Sequence, residues 1–220
     1  MQKNEYELLE AGLELMKIEY SPAQVEKIDS FISELLLFNA RFDLINAKTT
    51  SEIIVRHIFD SLVAIKFFEK GETIADIGSG AGFPGIALAI FLPEKQFTLV
   101  ERSERRVGFL QNVKAILQLD NVEILCKDFQ KLKQNFNTVS ARALRSLDTK
   151  VFTSLLALLS EEGSLVLYKG RKDKTKAEIH SLQQEINVQK LSVNIFSLQV
   201  PYLKSERCIL KVEKTIAKNV

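Results

Sequence analysis

The stretch Ile74-Ala-Asp-Ile-Gly-Ser-Gly-Ala-Gly-Phe-Pro-Gly85 constrains this chain more than any other. A short apolar run, Thr73 to Ile77, reads as a strand and leads straight into Gly78, Gly80 and Gly82. Glycine is needed where the backbone takes positive φ in a tight turn, or where it must touch a ligand. Pro84 then suits the first turn of a following helix. A strand, a glycine turn and a helix together form the opening unit of a parallel α/β sheet. Such a sheet binds its ligand beyond the carboxyl ends of its strands.

The remaining periodicities agree. Leu9, Leu13, Met16 and Tyr20 follow helical spacing, as do Val25, Ile28, Ile32, Leu35, Phe38 and Phe42. Between them Ser21-Pro22-Ala23-Gln24 supplies an N-cap, a proline at the first helical position and a capping-box glutamine. Thr49-Thr50-Ser51-Glu52 repeats the signal and opens a third helix, with Ile54, Ile58, Leu62 and Ile65 on one face. From residue 71 the period shortens. Phe97–Glu101, Val122–Cys126, Thr138–Arg142 and Ser164–Tyr168 read as further strands, separated by helices over Glu104–Gln118 and Asp148–Leu159. Ser192–Val200 and Arg207–Val212 are expected to close the sheet as an antiparallel hairpin around Pro201. The expected division is a helical extension, residues 1–70, followed by a doubly wound, mostly parallel seven-stranded domain, residues 71–220, with an antiparallel last strand.

Two ligand classes suit the glycine turn. Gly80-Ala-Gly-Phe-Pro-Gly85 formally matches the dinucleotide pattern GxGxxG, in which a helix N-terminus cradles a pyrophosphate. Counted from Gly78, the first glycine after the strand, that pattern fails at Phe83. The order Asp76-x-Gly78-x-Gly80-x-Gly82 instead resembles motif I of the class I (Rossmann-like) methyltransferases. S-adenosylmethionine carries no phosphate, so its site needs close backbone approach and a carboxylate more than an anion cradle. Glu101, 23 residues after Gly78, ends the second strand and suits two ribose hydroxyls. Asp128-Phe129-Gln130 follows the third strand, where backbone amides would meet an adenine edge and Phe129 a ring face.

Composition narrows the setting. Apolar residues make up 46% and charged residues 26%, enough to bury a core. Cys126 and Cys208 fit neither a disulfide framework nor a zinc spacing, and no metal site is expected. Apolar runs such as Ile86–Leu92 are too short to span a bilayer, and the charged first residues lack a signal core. A cytoplasmic, monomeric protein is the expectation. The net charge is only +2, but from Gly163 to Val220 eleven Lys/Arg stand against five Asp/Glu. Much of that excess lies in Lys169-Gly-Arg-Lys-Asp-Lys-Thr-Lys176, either a solvated loop and helix start or a phosphate-contacting patch.

Missing motifs speak to the reaction. Methylation of exocyclic amines goes with an Asn/Asp-Pro-Pro-aromatic motif after the fourth strand, where this chain has Ser140-Ala-Arg-Ala-Leu144. Pyrimidine C5 chemistry needs a cysteine nucleophile, and neither cysteine is placed for attack. Guanine N7 offers a free lone pair in the neutral base, so alignment and exclusion of water suffice.

Several segments together resemble one family, the bacterial ribosomal RNA guanine-N7 methyltransferases (RsmG/GidB). They are Asn39–Leu44, Val55-Arg-His-Ile-Phe-Asp-Ser61, Ile74–Pro93, Arg105–Leu110, Ser140–Ala143, Lys169-Gly170 and Glu206-Arg207. The resemblance implies a class I fold, S-adenosylmethionine as donor, and a guanine of 16S rRNA, naked or in the small subunit, as acceptor. It implies donor contacts from Gly78, Phe83, the backbone of Phe129 and Gln130, and Arg142. Glu101 stands where the family more often has Asp, Asp43 and Ile45 replace Asn and Thr of an Asn-Leu-Thr stretch, and Cys208 replaces a common His. Arg142 and His57 are the candidate catalytic residues. Arg56, His57, Asp60 and Ser61 form a polar cluster in which Arg56–Asp60 and His57–Ser61 are expected i,i+4 pairs. Lys169, Arg171, Lys172 and Arg207 are the expected RNA-phosphate contacts. The rival from another class is a non-catalytic RNA-binding or assembly factor on the same fold.

Overall fold

The computed structural model describes residues 1–143, 147–185 and 191–214. Its centre is one sheet of seven strands, β1 (Thr73–Ile77), β2 (Gln96–Glu101), β3 (Val122–Cys126), β4 (Phe136–Arg142), β5 (Leu159–Lys169), β6 (Leu191–Leu198) and β7 (Arg207–Lys214). They lie in the order β3-β2-β1-β4-β5-β7-β6. Pairing is parallel from β3 to β5, and β7 runs antiparallel to both β5 and β6. The expected closing hairpin is thus present, and its second strand is the reversed one. Strand order changes direction between β1 and β4, so a crevice opens there at the carboxyl ends of the strands.

Helices cover both faces. On one face α5 (Gly85–Phe91) and α6 (Glu104–Leu117) join the N-terminal helices; on the other lie α7 (Thr149–Ala157) and α8 (Lys172–Glu185). The two faces bury separate apolar clusters, one around Leu99 and Leu110, the other around Val139, Phe152 and Leu165. β1 is buried over its last four residues because both faces are covered.

The N-terminal helices are α1 (Lys3–Leu15), α2 (Pro22–Phe42) and α3 (Thr50–Ile53), which runs on through a π-helical turn (Ile54–Phe59) into α4 (Asp60–Leu62). α1 stops short of the expected Tyr20. Lys17 takes φ +57°, its N–H bonds to Glu14 O and the N–H of Ile18 to Leu13 O, which is a Schellman stop. At α2 the capping box forms as expected, Ser21 N–H donating to Gln24 Oε1 at 2.8 Å and Gln24 N–H to Ser21 Oγ at 3.3 Å. At α3 it is altered: Thr49 caps the N–H of Glu52, but Glu52 reaches the N–H of Lys48.

These helices share the core of the sheet domain. Leu9, Phe31, Ile58 and Phe59 belong to one cluster with Ile74, Leu99 and Leu110. Each such side chain contributes about 1.5–3 kcal/mol on burial. Polar ties fix the angle, since Gln24 donates to the carbonyl of Ile90 and Asn112 to Glu34. Gly12 of α1 lies flat against the ring of Phe59, where a Cβ would fall 2.0 Å from Cζ. Gly12→Ala should therefore lower the urea-unfolding free energy by about 1–3 kcal/mol through overpacking. Adding Phe59→Leu should recover part of that loss; strictly additive effects would show that the two residues do not compete for space.

Candidate active site

The turn after β1 is held from beneath. Gly78, Gly80 and Gly82 take φ of +70°, +58° and +88°. Asp76 is buried under them, its Oδ2 accepting the N–H of Gly85 at 3.0 Å and its Oδ1 facing Ser140 Oγ at 3.4 Å. Burial pushes its carboxyl up to about 6, against the hydrogen bonds from Gly85, Ser79 and Ser140 and the charge of Arg142. Glu101 Oε2 accepts the N–H of Gly80 and Oε1 that of Ser103. Two carboxylates thus shape one loop, from below and from the side.

A cavity of about 230 Å³ opens over the β1–β2–β3 half of the sheet, lined by Gly78, Glu101, Arg106, Lys127, Asp128 and Phe129 among others. A Cβ added at Gly78 would meet nothing within 4 Å, so the bare backbone faces open space. The lining brings Gly78, Glu101 and Phe129 together as expected from the sequence. Asp76, Gly82 and Phe83 lie buried and line neither this cavity nor the one described next. The N–H of Gln130 donates to Asp128 Oδ1 at 3.0 Å and so is already engaged.

A second cleft, about 340 Å³, opens over the β4–β5–β7 half. Its lining includes Arg56, His57, Asp60, Arg142, Lys169 and Arg207, four cationic side chains against one carboxylate. Asp60 is buried and receives Arg142 Nη1 at 3.3 Å and Arg207 Nε at 2.7 Å. The expected Arg56–Asp60 pair is absent: Arg56 is exposed, and Asp60 turns to the two sheet arginines. The helix is π-wound over Ile54–Phe59, which changes the face on which residues four apart fall. The expected His57–Ser61 contact does form, but to the backbone, Ser61 Oγ donating to the carbonyl of His57 at 2.6 Å. The buried Tyr168 hydroxyl donates to the carbonyl of Ser61 and fastens the helix to β5.

Phe83 joins the two halves. The His57 ring stacks on it at 5.0 Å, and the Arg142 guanidinium lies 5.2 Å from its centroid. Arg142 Nη2 is 3.0 Å from His57 Nδ1. Of the expected phosphate contacts, Lys169 lines the cleft but pairs with Glu178 at 2.7 Å, and Arg207 is bound to Asp60. Arg171 and Lys172 sit elsewhere, on an exposed patch with Asp173 and Glu206, and Arg171 pairs with Asp173. Sequence reasoning missed Asn46 in the cleft lining, and Ala143, whose φ of +58° turns the chain aside directly after Arg142. Ala143 closes the Ser140–Ala143 segment, but no sequence signal marks its positive φ, and no motif marks Asn46.

A sheet of order 3-2-1-4-5-7-6 with reversed β7, a glycine turn after β1 and an acid closing β2 define a class I methyltransferase. Solved structures share the fold. An S-adenosylmethionine-dependent methyltransferase from Aquifex aeolicus matches 83% of this chain and 98% of its own, with a TM-score of 0.58 at 16% identity. A ribosomal protein L11 methylase from Lactobacillus delbrueckii matches 71% and 77%, with a TM-score of 0.55 at 14% identity. Residues 24–207 match the family model described as rRNA small subunit methyltransferase G. Proteins named ribosomal RNA small subunit methyltransferase G are 37% identical in Treponema denticola, over 85% of each chain, and 34% in Treponema pallidum, over 96% of this chain and 94% of that one. The chain belongs to the rRNA small subunit methyltransferase G family.

Burial first, then the charges of Arg142 and Arg56, hold His57 down to about 3 from an ordinary 6.5. Between those values the folded chain binds fewer protons at this group than the unfolded chain, so its contribution to stability falls as pH falls through that window. Asp76 acts in the opposite sense between about 6 and 3.8, where the folded carboxyl holds the extra proton. With only two histidines in the chain, the His57 ring signals are assignable by deleting the other. They should show no titration from pH 7.5 to 4.5 by NMR; a midpoint near 6.5 would mean that the cleft does not shield the ring.

Proposed function

We propose that this chain transfers a methyl group from S-adenosylmethionine to N7 of a guanine in 16S rRNA of the small ribosomal subunit, as a monomer in the cytoplasm. The observation that carries the reading is the side-by-side placement of two unlike sites at one crevice. One has bare backbone and a carboxylate; the other is cationic and lined by a helix from the N-terminal extension. Among the described residues no helix is long and apolar enough to cross a membrane.

The residues present fit the donor. At Gly78 a Cβ would project into open cavity space, where a nucleoside could approach the backbone. Glu101 offers a carboxylate at the ribose position, and Phe129 a ring face for the adenine. Bound there, the donor supplies an electrophilic methyl on a sulfonium. The chain then has to place the acceptor nitrogen in line and keep water out, since the N7 lone pair of neutral guanine needs no base. His57 suits that chemistry as a neutral ring whose Nδ1 is already engaged by Arg142. The cationic cleft draws in the RNA backbone, with Lys169, Arg207 and the exposed Arg56 at its wall. The extension, residues 1–70, adds Arg56, His57 and Asp60 to the acceptor side, and residues 71–220 supply the donor side together with Arg142, Lys169 and Arg207 of the cleft.

Labelled S-adenosylmethionine offered with small subunits, naked 16S rRNA or free nucleosides should label RNA and leave nucleosides unlabelled. Label only on nucleosides would overturn the acceptor assignment. Gly78→Asp should abolish donor binding by calorimetry, because a charged side chain fills the space the nucleoside needs, while RNA affinity stays within about twofold. Donor binding that survives this change would remove the glycine turn from the site. RNA affinity without methyl incorporation by the unaltered protein would point to a binding factor instead.

A further inference from the structure

The Arg142–His57 contact fixes more than position. A guanidinium carries only N–H donors. At 3.0 Å from Arg142 Nη2, the Nδ1 of His57 must therefore accept. In the neutral ring the one proton then sits on Nε2. The partners of both side chains lock the arrangement. Asp60 holds Nη1 of the same guanidinium, and Phe83 packs against the imidazole and the guanidinium alike. The cations of Arg142 and Arg56 disfavour a second proton on the ring. Turning the ring over would set a C–H against the guanidinium and lose the bond. His57 lines the cationic cleft, and its Nε2 has no hydrogen-bond partner among the described residues.

The purine edge that offers N7 also carries the substituent at C6. Guanine presents an acceptor there, O6, whereas adenine presents the N6 amino donor. A group that can only donate beside N7 accepts the first and rejects the second. Of the other strong donors in the cleft, Arg142 and Arg207 are committed to Asp60 and Lys169 to Glu178, while Arg56 lies exposed at the wall with no partner among the described residues to fix its position. We propose that His57 is the specificity-determining residue of the acceptor site, its Nε2–H held as a fixed donor that reads the O6 carbonyl of the base to be methylated. This rests on the reading of the chain as an rRNA guanine-N7 methyltransferase. The role differs from acid–base catalysis, because the ring keeps its proton throughout and leaves N7 free for the methyl group.

The test pairs base analogues with two variants. Small-subunit rRNA is ligated with guanine, inosine or 2-aminopurine at the position the unaltered enzyme methylates. Inosine keeps O6 and 2-aminopurine lacks it, while both keep N7. Inosine should be methylated within a few-fold of guanine, and 2-aminopurine about tenfold or more slowly, the range expected for one lost hydrogen bond. His57→Asn keeps an acceptor for Arg142 but loses the donor at the Nε2 position, so the guanine-to-2-aminopurine ratio should shrink about tenfold. His57→Gln, whose amide reaches further, should restore part of it. An unchanged ratio in His57→Asn overturns the proposal. A second readout needs no variant: ¹⁵N spectra of the folded protein at pH 7 should show the Nε2–H tautomer, and an Nδ1–H tautomer or an imidazolium also overturns it. Failure of the underlying reading is separately visible, since the unaltered enzyme would then methylate no guanine in that RNA.

Discussion

The carboxylate of Asp60 organises the half of this molecule that carries the cationic cleft. It is buried, and it accepts one guanidinium from the end of β4 and another from the start of β7. Those strands flank β5, whose Tyr168 hydroxyl reaches the carbonyl of Ser61, one residue from Asp60. One short helical segment is thereby fixed to three neighbouring strands. Charge arithmetic makes the contact necessary. Without Asp60 the cleft would gather Arg56, Arg142, Lys169 and Arg207 with no carboxylate in its wall. Such a set is hard to keep compact at protein dielectric. With Asp60, two of the four cations become scaffold, and the cleft keeps a positive surplus for a polyanion.

The half built on the glycine turn depends on a similar device. Backbone N–H groups of the glycine turn need acceptors, and Asp76 and Glu101 provide them for Gly85 and Gly80. Asp76 therefore acts through loop shape rather than as part of a cavity wall. Phe83 lies between the halves, touching His57 and Arg142 on one side while its neighbours form the turn. Here the packing of the N-terminal helices and the electrostatics of the cleft depend on the same few side chains.

Much of this was legible before any coordinates. β1 and β3 fall on the residues expected, because a short apolar run ended by glycines or charges has few other options. α2 begins where Ser21, Pro22 and Gln24 place it. What escaped was either a local backbone choice with no sequence marker or a pairing between distant residues. The end of α1 at Leu15 depends on Lys17 adopting a left-handed conformation, for which lysine gives no signal. The partners of Asp60 lie 82 and 147 residues away, and the π-turn that redirects it has no sequence signature. Arg207 and Lys169 read as free cations because the acids that bind them come from other elements. Charge runs show where basic residues lie and leave open whether they are already paired.

The most direct test of the account is the atom that receives the methyl group. Small subunits lacking the modification would be incubated with the protein and S-adenosylmethionine, and their RNA then treated with borohydride and aniline, which break the chain at 7-methylguanosine. Methyl transfer to guanine N7 predicts one new break in 16S rRNA, at one guanine, appearing only when protein and donor are both present. Incorporation of labelled methyl groups without a break would place the chemistry on another atom and contradict the account.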